Sequence, residues 1–113
     1  MKGSSSRFPI TTAMSFNRTL WQKTAQQIAR EGRAWYNGGN GDGLTYWAPV
    51  VNLARDPRWG RALECPGEDP KLSSEYATNF VKGFQVAPEA PDQLLVGATC
   101  KHFVAVNPIS IPL

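Results

Sequence analysis

Two groups of residues in this chain have the types and spacing for chemistry. The first runs Arg55-Asp56-Pro57-Arg58-Trp59-Gly60-Arg61, continues to Glu64 and closes on Gly67-Glu68-Asp69-Pro70. The second is the adjacent pair Lys101-His102. Arginine and lysine side chains carry only donors, so both suit the oxygens of a ligand. Glu64, Glu68 and Asp69 are the clustered acids. The same residues also admit structural roles. Arg58 and Arg61 can pair with local carboxylates and hold a loop, and Glu68 and Asp69 can open a helix. A single histidine is commonly a satisfied core or surface residue.

Composition sets other chemistries aside. Cys65 and Cys100 stand 35 positions apart and, with His102, match no zinc-binding spacing, so no metal or other cofactor is expected. One cysteine pair does not establish a disulfide, and two buried free thiols are the expectation. The formal charge is +3, and residues 1–35 hold six basic groups and one acid. Spread along a helix, those charges form a solvated face rather than a phosphate-tracking groove, so no nucleic-acid partner is expected. No apolar run approaches the length of a membrane span. The start, Met1 to Arg7, has no apolar stretch after its charges and is not a secretory signal. Four Trp, three Tyr and five Phe either fill a core or line a site for flat or sugar-like ligands.

Elements must position these groups. With 113 residues, 42% of them hydrophobic, the chain has material for one domain over 1–113 and too little for two. Residues 1–14 lack any period and read as a leading loop. Ser15 to Asn37 reads as the best helix, with Asn17 as N-cap and Trp21, Ala25, Ile28, Gly32 and Trp35 on one face. Asn37 to Gly41 ends it, because Gly and Asn accept positive φ at little cost. Leu44 to Val51 is an apolar run of strand length, with Pro49 marking an edge or an early end. Residues 52–66 read as a long loop. Asp69 then Pro70 signals a helix start, and Leu72, Tyr76, Phe80 and Phe84 give that helix one apolar face to about Gln85. Residues 86–93 read as linker, and Leu94 to Val106 as a second buried strand. The order helix, strand, loop, helix, strand suits an α/β fold with parallel strands covered by helices. Both chemical groups then fall where strands end and loops begin, the usual place for a site in such folds. Neighbours on a strand point to opposite faces, so Lys101 and His102 diverge unless the strand ends or bulges there.

At these residues the chain resembles glycoside hydrolase family 3, in its β-xylosidase/β-glucosidase-like branch. The segments that carry the resemblance are FPITTAMSFNRTLWQ, REGRAWYN, LTYWAPVVNLARDPRWGRALECPGEDP and TCKHFVA, across about residues 8–105. After Val104 the sequence departs from the pattern, reading AVNPISIPL. The resemblance implies an N-terminal (β/α)₈ barrel, of which this chain supplies two to three βα units, since a whole barrel takes roughly 250 residues. It implies a retaining, exo-acting β-glycosidase of xylan 1,4-β-xylosidase type, working on non-reducing ends of xylo- or gluco-oligosaccharides, and secreted. Arg61, Lys101 and His102 take the positions of groups that hold sugar hydroxyls. Glu64 takes that of a carboxylate orienting the arginine. Retaining hydrolysis needs a nucleophile and an acid/base about 5–5.5 Å apart. In the family both come from downstream, so no catalytic residue is expected in this chain, and the remainder of the barrel and a second domain are its expected partners. A non-catalytic carbohydrate- or partner-binding piece is the alternative.

Overall fold

The computed structural model describes residues 7–103. Its two long helices form where the apolar periods lie. Helix α2, Arg18–Asn37, starts at Asn17, whose side-chain oxygen accepts from the Leu20 amide at 3.0 Å. Helix α3, Pro70–Gln85, starts at Asp69, whose carboxylate accepts from the Leu72 amide at 2.6 Å. Each cap satisfies an amide that the first turn leaves without a partner.

The apolar faces of α2 and α3 meet in the core. Trp21, Ala25 and Ala29 face Tyr76, Phe80 and Phe84, with Val96 closing the end. The rings run as a chain from Trp21 through Tyr76, Phe80 and Phe84 to Tyr46, with centroids 5.2–5.8 Å apart. Gly83 lets the helices touch backbone to backbone: a Cβ there would lie 2.1 Å from the Gln22 carbonyl oxygen. Trp35, assigned to the same face by period, is instead exposed and donates to the Asn40 carbonyl at 2.5 Å.

Strands β1, Thr45–Tyr46, and β4, Gly97–Ala98, pair in parallel, and α3 lies between them in the chain, giving a βαβ unit of an α/β fold. The parallel pairing resumes at one bridge, Val50 with Lys101. The apolar run 44–51 is thus only partly a strand. Ala48 turns its amide back to the Tyr46 carbonyl at 2.9 Å, and Pro49 has no amide to give. Nor is it buried on two faces. Tyr46 packs on Phe84, but Trp47 is 76% exposed.

Three further expectations change. Within the leading loop, Pro9–Ala13 forms the short helix α1, started by proline and tied to α2 where Trp21 Nε1 donates to the Thr12 carbonyl at 2.9 Å. Residues 86–93 are not plain linker: β2, Val86–Ala87, and β3, Ala90–Leu94, form an antiparallel hairpin after α3. Leu94 belongs to that hairpin, so the last strand starts later than expected; positions 104–106 lie outside the described residues. Arg33 of α2 anchors the hairpin exit by donating to the carbonyls of Leu94 and Leu95, both at 2.6 Å.

Candidate functional site

The site lies where the parallel pair runs out. The Val51 amide donates to the Lys101 carbonyl at 2.7 Å and the Lys101 amide to the Pro49 carbonyl at 3.1 Å. Among the described residues this is the last of the ladder, and Asn52 enters the long loop. The Ala48–Pro49 and Lys101–His102 peptide bonds are cis. The loop is closed at its base, where the Ala54 amide donates to the Gly67 carbonyl at 2.9 Å. Cys65 is fully buried beneath it, and burial pushes its thiol pKa up. Cys100, expected to be buried, is exposed among the described residues, beside the single bridge that Lys101 makes with Val50; both thiols are free.

Within the loop, a 3₁₀ turn over Ala62–Glu64 puts Arg61 and Glu64 three positions apart on one side. Their pairing is bidentate: Arg61 Nε donates to Glu64 Oε1 at 2.6 Å and Nη2 to Oε2 at 2.8 Å. Lys101 then donates its ammonium to Glu64 Oε2 at 3.3 Å. One carboxylate therefore holds two cations from segments 37 positions apart in sequence. The Arg61 hydrogen bonds are the main reason the Glu64 carboxyl pKa falls to about 2; burial opposes and Lys101 adds to the fall. Glu64 stays ionised at any ordinary pH. The guanidinium and the ammonium keep further N–H groups for a ligand.

His102 is held from the other side. Its backbone amide donates to Asn52 Oδ1 at 2.8 Å, and its ring Nδ1 lies 3.0 Å from the same oxygen. Desolvation lowers the His102 pKa; the charges of Arg61 and Lys101 lower it further, and Glu64 opposes them. The ring lines an open cleft of about 200 Å³ with Val51, Asn52, Leu53 and Arg55. Lys101 and Glu64 line a neighbouring cleft of about 180 Å³, with Trp47 and Val50 on its wall. Arg61, Glu64 and Lys101 thus form one cluster, and His102 sits beside it on a separate cleft.

Two other loop residues settle as local structure. Arg58 closes on Asp56 through Nε at 3.0 Å and Nη2 at 2.7 Å, and those hydrogen bonds lower the Asp56 pKa to about 2. Asp69 caps α3. The residue that sequence reasoning passed over is Asn52, buried to 7% exposure. Its signal was a polar residue ending an apolar strand-length run, at the carboxyl end of a parallel strand.

Comparison with known proteins gives this geometry a family. Residues 1–107 match the family model described as the glycosyl hydrolase family 3 N terminal domain. Beta-D-xylosidase 1 of Arabidopsis thaliana is 51% identical over 98 residues, covering 87% of this chain and 12% of its own length. Beta-xylosidase/alpha-L-arabinofuranosidase 1 of Medicago sativa subsp. varia is 53% identical over 100 residues, covering 88% and 13%. Among solved structures, a family 3 exo-beta-xylosidase in complex with a xylobiose aziridine activity-based probe superposes with TM-score 0.81 at 36% identity, covering 89% of this chain and 13% of that one. A beta-glucosidase from Listeria innocua in complex with glucose superposes with TM-score 0.73 at 35% identity, covering 91% and 14%. The chain therefore spans only a small part of the length of these relatives. With the match running over nearly all its residues, the chain belongs to glycosyl hydrolase family 3, through that family's N-terminal domain.

Proposed function

We propose that this chain supplies part of the sugar subsite of a retaining, exo-acting β-glycosidase of xylosidase type. The observation that carries the reading is the Arg61–Glu64–Lys101 cluster at the carboxyl ends of a parallel strand pair. That is the end where α/β barrels build their sites. On this reading residues 1–113 are part of a (β/α)₈ barrel. Arg61 and Lys101 donate to sugar hydroxyls, His102 contacts a hydroxyl from the adjoining cleft, and Glu64 keeps both cations aimed. Their fixed donors hold substrate and gain strength as charge develops on the sugar in the transition state. The nucleophile and the acid/base come from other parts of the enzyme, as the family resemblance implies; in keeping with that, Glu64 pairs with two cations and Asp69 caps a helix. An enzyme of this kind meets oligosaccharides outside the cell, where the polymers that yield them lie.

Methyl β-xyloside titrated into the chain tests this, with tryptophan fluorescence as readout. Saturable binding that weakens at least tenfold in Arg61→Ala is the expected result. Binding indifferent to Arg61→Ala and Lys101→Ala overturns the reading. The non-catalytic alternative uses the same Arg61, Lys101 and His102 with the aromatics, and is favoured instead if complementation with the rest of the barrel restores no hydrolysis. Turnover of an aryl β-xyloside by this chain that disappears in Glu64→Gln overturns the placement of the catalytic pair elsewhere.

A further inference from the structure

We infer that Asn52 is a positioning residue: it holds His102 in the tautomer with the proton on Nδ1, so that Nε2 meets the ligand as a bare acceptor. The reasoning is one of donor counting. A backbone amide can only donate, so the Asn52 side-chain atom 2.8 Å from the His102 amide is its oxygen. That same oxygen lies 3.0 Å from Nδ1 and has no proton to offer, so Nδ1 must carry one. A neutral imidazole has a single N–H, which leaves Nε2 unprotonated. Asn52 is more than nine-tenths buried, which limits the competition of water for the oxygen.

The consequence is a division of labour. Arg61 and Lys101 can only donate, whereas His102 accepts. A hydroxyl in the His102 cleft therefore gives its proton to Nε2, and a methyl ether at that position loses the contact. Protonation of His102 would turn the acceptor into a second donor. Desolvation and the charges of Arg61 and Lys101 disfavour protonation of the ring, while Glu64 favours it; Arg55 lines the same cleft. The ligand's identity rests on the proposed sugar-holding role; the tautomer does not.

His102 is the only histidine in the chain, so the imidazole nitrogens can be read without assignment in ¹⁵N-labelled protein. Wild type at pH 7.5 should show a protonated, pyrrole-type Nδ1 and a bare, pyridine-type Nε2. Asn52→Leu, of similar size without an acceptor, should move the proton to Nε2. Asn52→Asp keeps the acceptor and adds a negative charge, so it should retain the tautomer and raise the His102 pKa. A wild-type proton on Nε2 overturns the inference, as does an unchanged tautomer in Asn52→Leu. Should that variant not fold, an unchanged His102 pKa in Asn52→Asp overturns it instead. Methyl β-xyloside separates the two readings: an Nε2 resonance that ignores the sugar while Nδ1 stays protonated sinks the sugar role and leaves the tautomer standing.

Discussion

The helix pair and the strand-end loop are held by opposite means. Between α2 and α3 the contact is dry, aromatic and so close that one backbone rests on the other at Gly83. Around Arg61, Glu64 and Lys101 the side chains are partly exposed and the contacts are ionic. A packed interface is intolerant of volume, since displaced backbone has nowhere to go. An exposed ion pair contributes little to stability but fixes where donors point. The helix pair is therefore where substitutions should cost folding, and the loop is where they should cost function.

Gly83→Ala should be the most damaging change. The new Cβ would meet the Gln22 carbonyl oxygen at 2.1 Å and its carbon at 2.9 Å, both backbone atoms. Overpacking of this kind costs about 1–3 kcal/mol or more and outweighs the roughly 1 kcal/mol that alanine gains over glycine within a helix. Gly32→Ala is the control. Its Cβ would meet the Tyr46 hydroxyl at 2.6 Å and ring carbon Cζ at 3.0 Å, side-chain atoms of a ring packed on Phe84 that must shift, though no backbone need move. Urea unfolding should show a large loss for Gly83→Ala and a clearly smaller one for Gly32→Ala. Equal losses would mean that backbone proximity is not what sets the helix spacing.

On the proposed sugar-holding role, Arg61→Lys in a complete glycosidase carrying this segment should lower kcat/KM roughly ten- to a hundredfold, the usual worth of a charged hydrogen bond to substrate. A lysine cannot copy the fork that grips Glu64 and still reach a ligand. The melting temperature should hardly move, because Arg61 is half-exposed. Arg58→Lys sharpens the contrast. Its bidentate partner is Asp56 and its side chain is 70% exposed, so neither kcat/KM nor the melting temperature should change much. Full kcat/KM in Arg61→Lys would remove it from sugar recognition.

What the sequence showed follows the same division. The helices were legible because their information is local: a cap, a proline and a period of three to four residues suffice. The strands were less so. Leu44 to Val51 reads as one run, yet Pro49 and the turned-in Ala48 amide break its ladder, and hydropathy does not register a hydrogen bond. The hairpin at 86–94 hid behind Pro88 and Pro91. Arg61 and Glu64 were readable as neighbours. Lys101 with Glu64, 37 positions apart, and Asn52 with His102, 50 apart, exist only once β1 and β4 pair. The resemblance supplied Arg61, Lys101, His102 and Glu64 as a set, but not the bond from Lys101 to Glu64 or the Asn52 amide beneath the imidazole.

The two regions should also fail at opposite ends of the pH scale. Burial raises the Tyr76 pKa from 10.0 to about 12. Between those values the unfolded chain loses the phenol proton and the folded one keeps it, so stability falls as pH rises, by about 1.4 kcal/mol at pH 11. Tyr76→Phe should abolish that part of the alkaline loss.

At the acid end, Glu64 sits at about 2 against an ordinary 4.5. A depressed carboxylate gives stability that is complete above pH 4.5 and lost as pH falls toward 2. Its side chain is 30% exposed and Arg61 more so, so solvent screening holds the contribution below about 1 kcal/mol. Glu64→Gln should therefore melt almost as wild type does at pH 7 and converge with it below pH 3. Its larger effect should appear in function, because Arg61 and Lys101 would lose the charge that aims them together. A Glu64→Gln variant with wild-type sugar affinity would show that the cluster is only loop structure, and the loop would then differ from the helix pair in strength alone and not in purpose.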